Sequence, residues 1–510
     1  MSRMLRWITQ HRAAILSLGI LLAVTYAPLV ALVTQCFFQR PDLSDLIGAR
    51  QFVLLGRSLL VAILSGALST ALGVAVGYAI SLEARDRQQA AVLIMLLPLL
   101  IPPFVHSLAL IMLCDRFGVA CHGLLPTVGV LGISFFPLAG LLTWAGRRRA
   151  APNQSEAGLI ACGPIRTFVS IDLAALRPQL VTSFLLISLF SFSDYAVPSL
   201  FRVITYPVHV FSQFAVHYDV QRAAISTWPY LLLPILATSI WKLMLGGRGF
   251  TGGASEATAS RRRIKTRSAR MVYGLAISVP VGIPVIGLAL TAGAPGNYLA
   301  AWSGGARQML YSLLLAVVSA TVITILALPR VLSPKPQSGR LKATSDFLSL
   351  VPIALPGTIF GLGIILLWNR PATTWIYGSS VALGLLYAAR FLPFGIRPLV
   401  IGRGQVQPGV LDMVRLSDAG RWVTAGRILL PLLSPSILVG WVLCFVLVLR
   451  ELTGTLLVIP PGQETLAVRI YSLYHYGAGA AVAALSLLLL CVSAFVFGVA
   501  TLAYRGLRKC

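Results

Sequence analysis

Charge is what this sequence has least of. Only 11% of its 510 residues are Asp, Glu, Lys or Arg, and just 15 of them are acidic. A soluble domain carries about a quarter charged residues, and a large core is too small an effect to explain the deficit. The shortage implies long stretches solvated by lipid, where each ionised side chain costs several kcal/mol. Lysine is rare as well. It occurs only at 242, 265, 335, 342 and 509, never after a glycine, so the phosphate-cradling G-x-x-x-x-G-K-[ST] loop is missing. The chain does not supply its own ATP hydrolysis. The seven Cys form no Cys-x-x-Cys or Cys/His metal spacing, and no cluster of acids, His and Cys converges on one stretch. A membrane-embedded enzyme is therefore not expected, nor catalytic residues, nor a bound metal. Cys114 and Cys121 share one predicted outward loop, where a disulfide stays open.

What the sequence has is apolar length. Hydrophobic residues make up 57% of it and mean hydropathy is +0.85. A helix needs about 20 apolar residues to cross a bilayer. That ruler predicts twelve spans, starting near Ala14, Leu54, Ala90, Leu125, Leu180 and Ala223, then near Met271, Gln308, Phe347, Thr374, Ser436 and Gly479. Arg3, Arg6 and Arg12 precede an apolar run too long for a signal peptide, so it reads as a retained first span. The net charge of +26 does not mark a nucleic-acid surface. Most Lys and Arg, among them Arg147 to Arg149, Arg261 to Arg263 and Arg505, fall in segments that alternate spans place on one side. That bias predicts a multi-pass protein of a bacterial inner membrane with both termini in the cytoplasm.

The chain repeats itself. Arg57-Ser-Leu-Leu-Val-Ala62 matches Tyr311-Ser-Leu-Leu-Leu-Ala316, and Pro98 and Pro102 match Pro352 and Pro356 at the same offset. Pro137 matches Pro393. Gly163, Ile171, Leu173, Leu176, Pro178 and Asp194 match Gly420, Ile428, Leu430, Leu433, Pro435 and Glu451, all 257 residues apart. An ordered series of this kind predicts an all-α polytopic membrane protein of two tandem, parallel six-helix repeats. The divisions are 1–246 and 271–510, with a Gly-, Ser- and Arg-rich cytoplasmic linker at 247–270.

Between the fourth and fifth spans of the second half runs Leu411 to Pro435, LDMVRLSDAGRWVTAGRILLPLLSP. A plain connection would be short. This one is about 30 residues long and has helical periodicity, which on a membrane surface calls for an apolar partner. The segment resembles the EAA loop of binding-protein-dependent ABC importers, whose coupling helices dock on ATPase subunits. Asp412 stands at the motif's opening acid, and Ile428-Leu-Leu-Pro431 resembles its I-x-L-P ending. The first half carries Ser155-Glu-Ala-Gly-Leu-Ile-Ala-Cys-Gly-Pro-Ile-Arg166, closing at Arg177-Pro178. The family glycine is Ala161 in one copy and Asp418 in the other, and the opening acid falls on Ser155 with Glu156 one residue late. The resemblance assigns ATPase coupling to Glu156, Ala161, Gly163 and Pro178, and to Asp412, Asp418, Gly420, Pro431 and Pro435.

Val448 to Gly477 is similar to the end of iron(III)-type permeases, among which fused twelve-span chains are common. The two similarities together imply the type I permease fold and a subunit importing ferric iron. The same machinery carrying thiamine, phosphonate or another small solute is the alternative reading. Implied partners are cytoplasmic ABC ATPases, as a homodimer, and a periplasmic solute-binding protein, besides lipid. No cofactor is expected on this chain, and ATP and Mg belong to the partner. A secondary transporter is the rival class. It needs ionisable groups near the bilayer midplane, and few are present.

Asp194 and Glu451 each follow the closing proline of a cytoplasmic loop by 16 residues, a reach of about 24 Å. Acids so deep are expensive unless they face water or a partner. Asp194, Arg450 and Glu451 are therefore read either as pathway or gate residues, or as a structural set in which Glu451 pairs with Arg450 or another Arg. Arg390 has no partner evident in sequence. His217, Tyr218 and Asp219, and Tyr474, His475 and Tyr476, carry ligand-type side chains, but the two sets do not coincide in the repeat.

Overall fold

The computed structural model describes residues 15–38, 48–149, 152–215, 220–245, 267–332, 339–407, 409–410, 413 and 423–507. Among these, every regular element is helical. Asp412, Asp418 and Gly420, the 247–266 part of the linker, and His217 to Asp219 lie outside the described residues.

Each of the twelve expected spans meets a helix. Nine are unbroken and long enough to cross, from Ile15–Gln35 and Ala49–Ser81 to Gly479–Leu507. The fifth is the shorter apolar helix Arg177–Phe192. The third and ninth are broken: Arg87–Leu100 meets Pro103–Arg116 at 73°, and Lys342–Ala354 meets Gly357–Trp368 at 102°. Proline causes both breaks. A residue preceding proline is pushed out of the helical region, and Ile101 and Leu355, which precede Pro102 and Pro356, are extended, with ψ of 117° and 141°. Two helices outrun the sequence expectation. One begins at Ala49 and the other at Pro295, well before Gln308, and each is 33 residues long. At 1.5 Å per residue they measure about 50 Å, so their ends stand outside the hydrocarbon layer.

Without a hydrophobic drive between helices in lipid, close backbone approach carries the packing. Ala49–Ser81 lies along Leu124–Arg149 over most of its length. A Cβ on Gly77 would sit 2.3 Å from the Gly140 carbonyl oxygen, so the contact requires glycine.

The two parts of the sequence interlock. Ala27–Phe38 packs on Gly357–Trp368, while Arg267–Ala292 packs on Pro103–Arg116 and Ala49–Ser81. The first span of each part thus lies against the broken span of the other. His106 fixes one of these contacts. Pro284 has no N–H to offer the Pro280 carbonyl one turn earlier, and His106 Nε2 lies 3.0 Å from that oxygen. Its Nδ1 faces Ser134 Oγ at 3.3 Å, so the ring donates from Nε2 and accepts at Nδ1.

The repeated Arg-Ser and Tyr-Ser motifs have the same structural role. Ser58 Oγ accepts the first backbone N–H of helix Tyr206–Ala215 at 2.8 Å, and Ser312 Oγ accepts that of Leu466–His475 at 2.7 Å. Each serine satisfies a helix-end donor that lipid cannot.

Candidate functional site

The first segment that resembles a coupling loop is built from an apolar stretch broken by a sharp turn. Residues 154–175 are long and apolar enough to pass as a span. Instead, helix Pro152–Arg166 is interrupted at Gly163, whose φ of 78° and ψ of 173° suit glycine alone. A π-helical turn follows over Thr167–Asp172, and then Arg177–Phe192 begins with Pro178 in its first turn. The second half has a π turn at Thr424–Leu429, the same place in the repeat. It leads into Leu430–Leu449, with Pro431 in the first turn and Pro435 inside. Single π turns concentrate at functional sites.

Glu156 and Ala161 are exposed, and Gly163 is half-buried. Beside them the segment shows an apolar surface to solvent: Ile160 is 90% exposed, Ile165 80% and Val169 56%, with Leu159 alongside. Apolar side chains gathered on an exposed segment beside the spans are what a binding surface offers. A Cβ on Gly163 would meet nothing within 4 Å, so a substitution there costs only backbone strain. Gly163→Val is expected to lose about 1–3 kcal/mol of local stability. Limited proteolysis of the purified chain should then cut within 152–175 several times faster than in the parent. Equal rates would show that the turn tolerates a side chain.

The base of this segment is pinned by a network that sequence reading missed. Asp172, 1% exposed, accepts from Tyr78 Oη at 2.7 Å and from Ser155 Oγ at 2.7 Å, and is ion-paired with Arg147, itself 4% exposed. Arg147 also donates to Ser155 Oγ at 3.1 Å and lies over the Tyr78 ring, 4.8 Å from its centroid. One carboxylate thereby gathers the ends of Ala49–Ser81 and Leu124–Arg149, the helix Pro152–Arg166 and the π turn. Sequence reading took Arg147 as a topology charge. The usable signal was Asp172, an acid inside the apolar run Phe168 to Leu176.

Deeper in, Asp194 and Glu451 play matching parts. Asp194 Oδ1 accepts from Val197 N at 2.8 Å and so caps the short helix Ala196–Leu200. Glu451 Oε1 accepts from Gly454 N at 2.9 Å and caps Thr453–Val458. Of the two sequence readings, the structure supplies the pairing of Glu451 with another Arg: its partner is Arg390, not Arg450. Arg450 instead donates to the Leu99 carbonyl at 2.8 Å. The electrostatic neighbours of Asp194 are Arg450, Arg390 and Glu451, so all four groups form one cluster where the two halves meet.

Cys114 and Cys121 are both free thiols in the structure. Burial, with the Cys114 thiol alongside, pushes the Cys121 thiol up to about 11. Among the described residues no group of three or more His, Cys, Asp and Glu is placed to hold a metal.

No family model matches the chain. Among curated relatives, the ferric transport system permease protein FbpB 1 of Haemophilus influenzae is 25% identical over 431 residues, 75% of this chain and 66% of that protein. The Fe(3+)-transport system permease FbpB 2 of the same organism is 23% identical over 393 residues, 74% of this chain and 75% of its own. The 2-aminoethylphosphonate transport system permease PhnV of Salmonella typhimurium is 28% identical over 156 residues, 29% of this chain and 57% of its own. The match to FbpB 1 spans just under two thirds of that relative. These relatives are transport permeases, not enzymes. The chain is thus similar to the ferric transport permeases over three quarters of its length, and its described residues form an all-helical, multi-pass membrane architecture.

Proposed function

We propose that the chain is the membrane-spanning subunit of an ATP-binding-cassette importer that carries ferric iron, delivered by a periplasmic binding protein, across a bacterial inner membrane. The observation that carries the reading is the similarity to two ferric transport permeases over three quarters of the chain. The exposed apolar surface at Leu159, Ile160, Ile165 and Val169 supports it. Both termini face the cytoplasm, and two tandem six-helix repeats (1–246 and 271–510, joined by 247–270) enclose the pathway between them. A homodimer of ATPase subunits engages both docking segments, the second being the one around Asp412, Asp418 and Gly420. ATP and Mg reside on those subunits, and this chain binds no cofactor.

The mechanism follows from linkage. Nucleotide closes the ATPase dimer, the docking segments are drawn together, and the halves rock open to the outside. ATPase binding energy biases a two-state bundle, so no covalent chemistry is asked of the permease. A phosphonate cargo is the second reading, favoured by the stretch similar to PhnV.

The deciding measurement is reconstitution of the chain in liposomes with its ATPase and binding-protein partners. Uptake of ferric iron with ATP is expected, with no uptake of 2-aminoethylphosphonate. The reverse result would replace the cargo and keep the machine. Uptake that proceeds without an ATPase would refute the importer reading.

A further inference from the structure

Each proline break leaves a backbone carbonyl without its helical donor. Leu99 O would accept from residue 103, but Pro103 has no N–H. Ala354 O would accept from Thr358 N, but extended Leu355 and Pro356 intervene. In the membrane interior such an oxygen needs a donor from elsewhere. Here both donors come from the opposite half. Arg450 Nη1 reaches Leu99 O at 2.8 Å, and Ser193 Oγ reaches Ala354 O at 3.3 Å. Ser193 and Arg450 stand 257 residues apart, the same offset that relates Asp194 to Glu451.

We propose that Ser193 and Arg450 are paired positioning residues, each latching the break of the other half's bent span and so holding the halves together at that level. The turn carrying each donor is fixed by its neighbour, since Asp194 and Glu451 cap the short helices that follow. Asp194 and Glu451 also balance the Arg450 charge. The second break is wedged from its far side as well. A Cβ on Gly357 would lie 2.1 Å from Arg390 Nη1 and 2.7 Å from Glu451 Oε1, so the ion pair packs directly on the backbone there. The latches are unequal in strength, one charged and short, the other neutral and longer. The break at Leu99 is therefore held more firmly than the break at Ala354. Any motion that parts the halves here must strip a carbonyl of its donor, and that is where the inference meets the alternating-access reading above.

The test needs neither ATPase nor cargo, so its outcome is separate from that reading. In the full chain with its native cysteines replaced, Ile101→Cys or Leu355→Cys reports on one break each. Both positions are buried, at 4% and 3% exposure. The rate of labelling by a water-soluble maleimide is measured in nanodiscs. Arg450→Met is expected to speed labelling at 101 about tenfold and to leave 355 within about twofold. Ser193→Ala is expected to speed labelling at 355 about threefold and to leave 101 unchanged. Arg450→Lys, which keeps donor and charge, should restore most of the protection at 101. The crossed pattern is the signature of the latches. Faster labelling at both sites in either variant would mean general loosening and overturn the proposal. So would a Lys variant labelled as fast as the Met variant, or no response at 101.

Discussion

Ile160→Asp combined with Ile165→Asp abolishes transport while leaving a folded, membrane-inserted chain; that is the largest effect expected of any surface change in this protein. Neither side chain has work to do inside the molecule, because they are 90% and 80% exposed. Both lie on the segment proposed to dock on the ATPase, one on each side of the Gly163 turn, so a single cleft on a partner can take both. Burying an isoleucine on docking contributes about 1.5–3 kcal/mol. Losing two therefore weakens ATPase binding by about two to four orders of magnitude, and the new charges weaken it further. The affinity of the detergent-solubilised chain for its ATPase, measured by titration, checks this. Leu125→Asp is the control. Leu125 is 84% exposed at the start of the helix Leu124–Arg149, whose far end carries Arg147, hence at the other side of the membrane. It should leave that affinity unchanged. Normal binding by the double variant would remove the docking segment from the mechanism.

The span pattern was legible because apolar length is a direct consequence of bilayer thickness, and tertiary context cannot hide it. The breaks at Pro102 and Pro356 were half legible. Proline marks a disturbance, but the sequence does not distinguish a kinked helix from one broken outright at 73° or 102°. Residues 154–175 show the opposite difficulty. Hydropathy alone makes them a span, and only their place in the repeat and the Gly163 turn argue for a surface segment.

The acids illustrate what spacing can and cannot deliver. Their equivalence follows from the offset, and the structure gives both the same backbone-capping role. Their partners do not follow. Arg450 is adjacent to Glu451 in sequence, but it reaches Leu99 in the other half, while Glu451 pairs with Arg390 from a separate helix. Pairing depends on which way two turns face across an interface, and no single stretch of sequence encodes that.

Asp172→Leu alone should be the most destabilising single change around the 152–175 segment, because it leaves Arg147 buried without its carboxylate. Breaking a buried pair in this way costs about 3–5 kcal/mol. Replacing both members by apolar residues is often close to neutral. The repeat supports that second expectation: the residue matching Asp172 is Leu429, fully buried at the end of the equivalent π turn. Arg147→Met with Asp172→Leu should therefore recover most of the stability lost by Asp172→Leu, as read from thermal unfolding of the purified chain. Recovery of stability need not restore function. The carboxylate also holds Tyr78 and Ser155, and with Arg147 ties the proposed docking helix to two spans. The double variant keeps its fold but loses that tie, so uptake should fall well below that of the parent at equal protein in the membrane. If Asp172→Leu alone unfolds at the parent's temperature, the network holds nothing together. If the double variant transports normally, motion passes from the docking segment to the spans by another route.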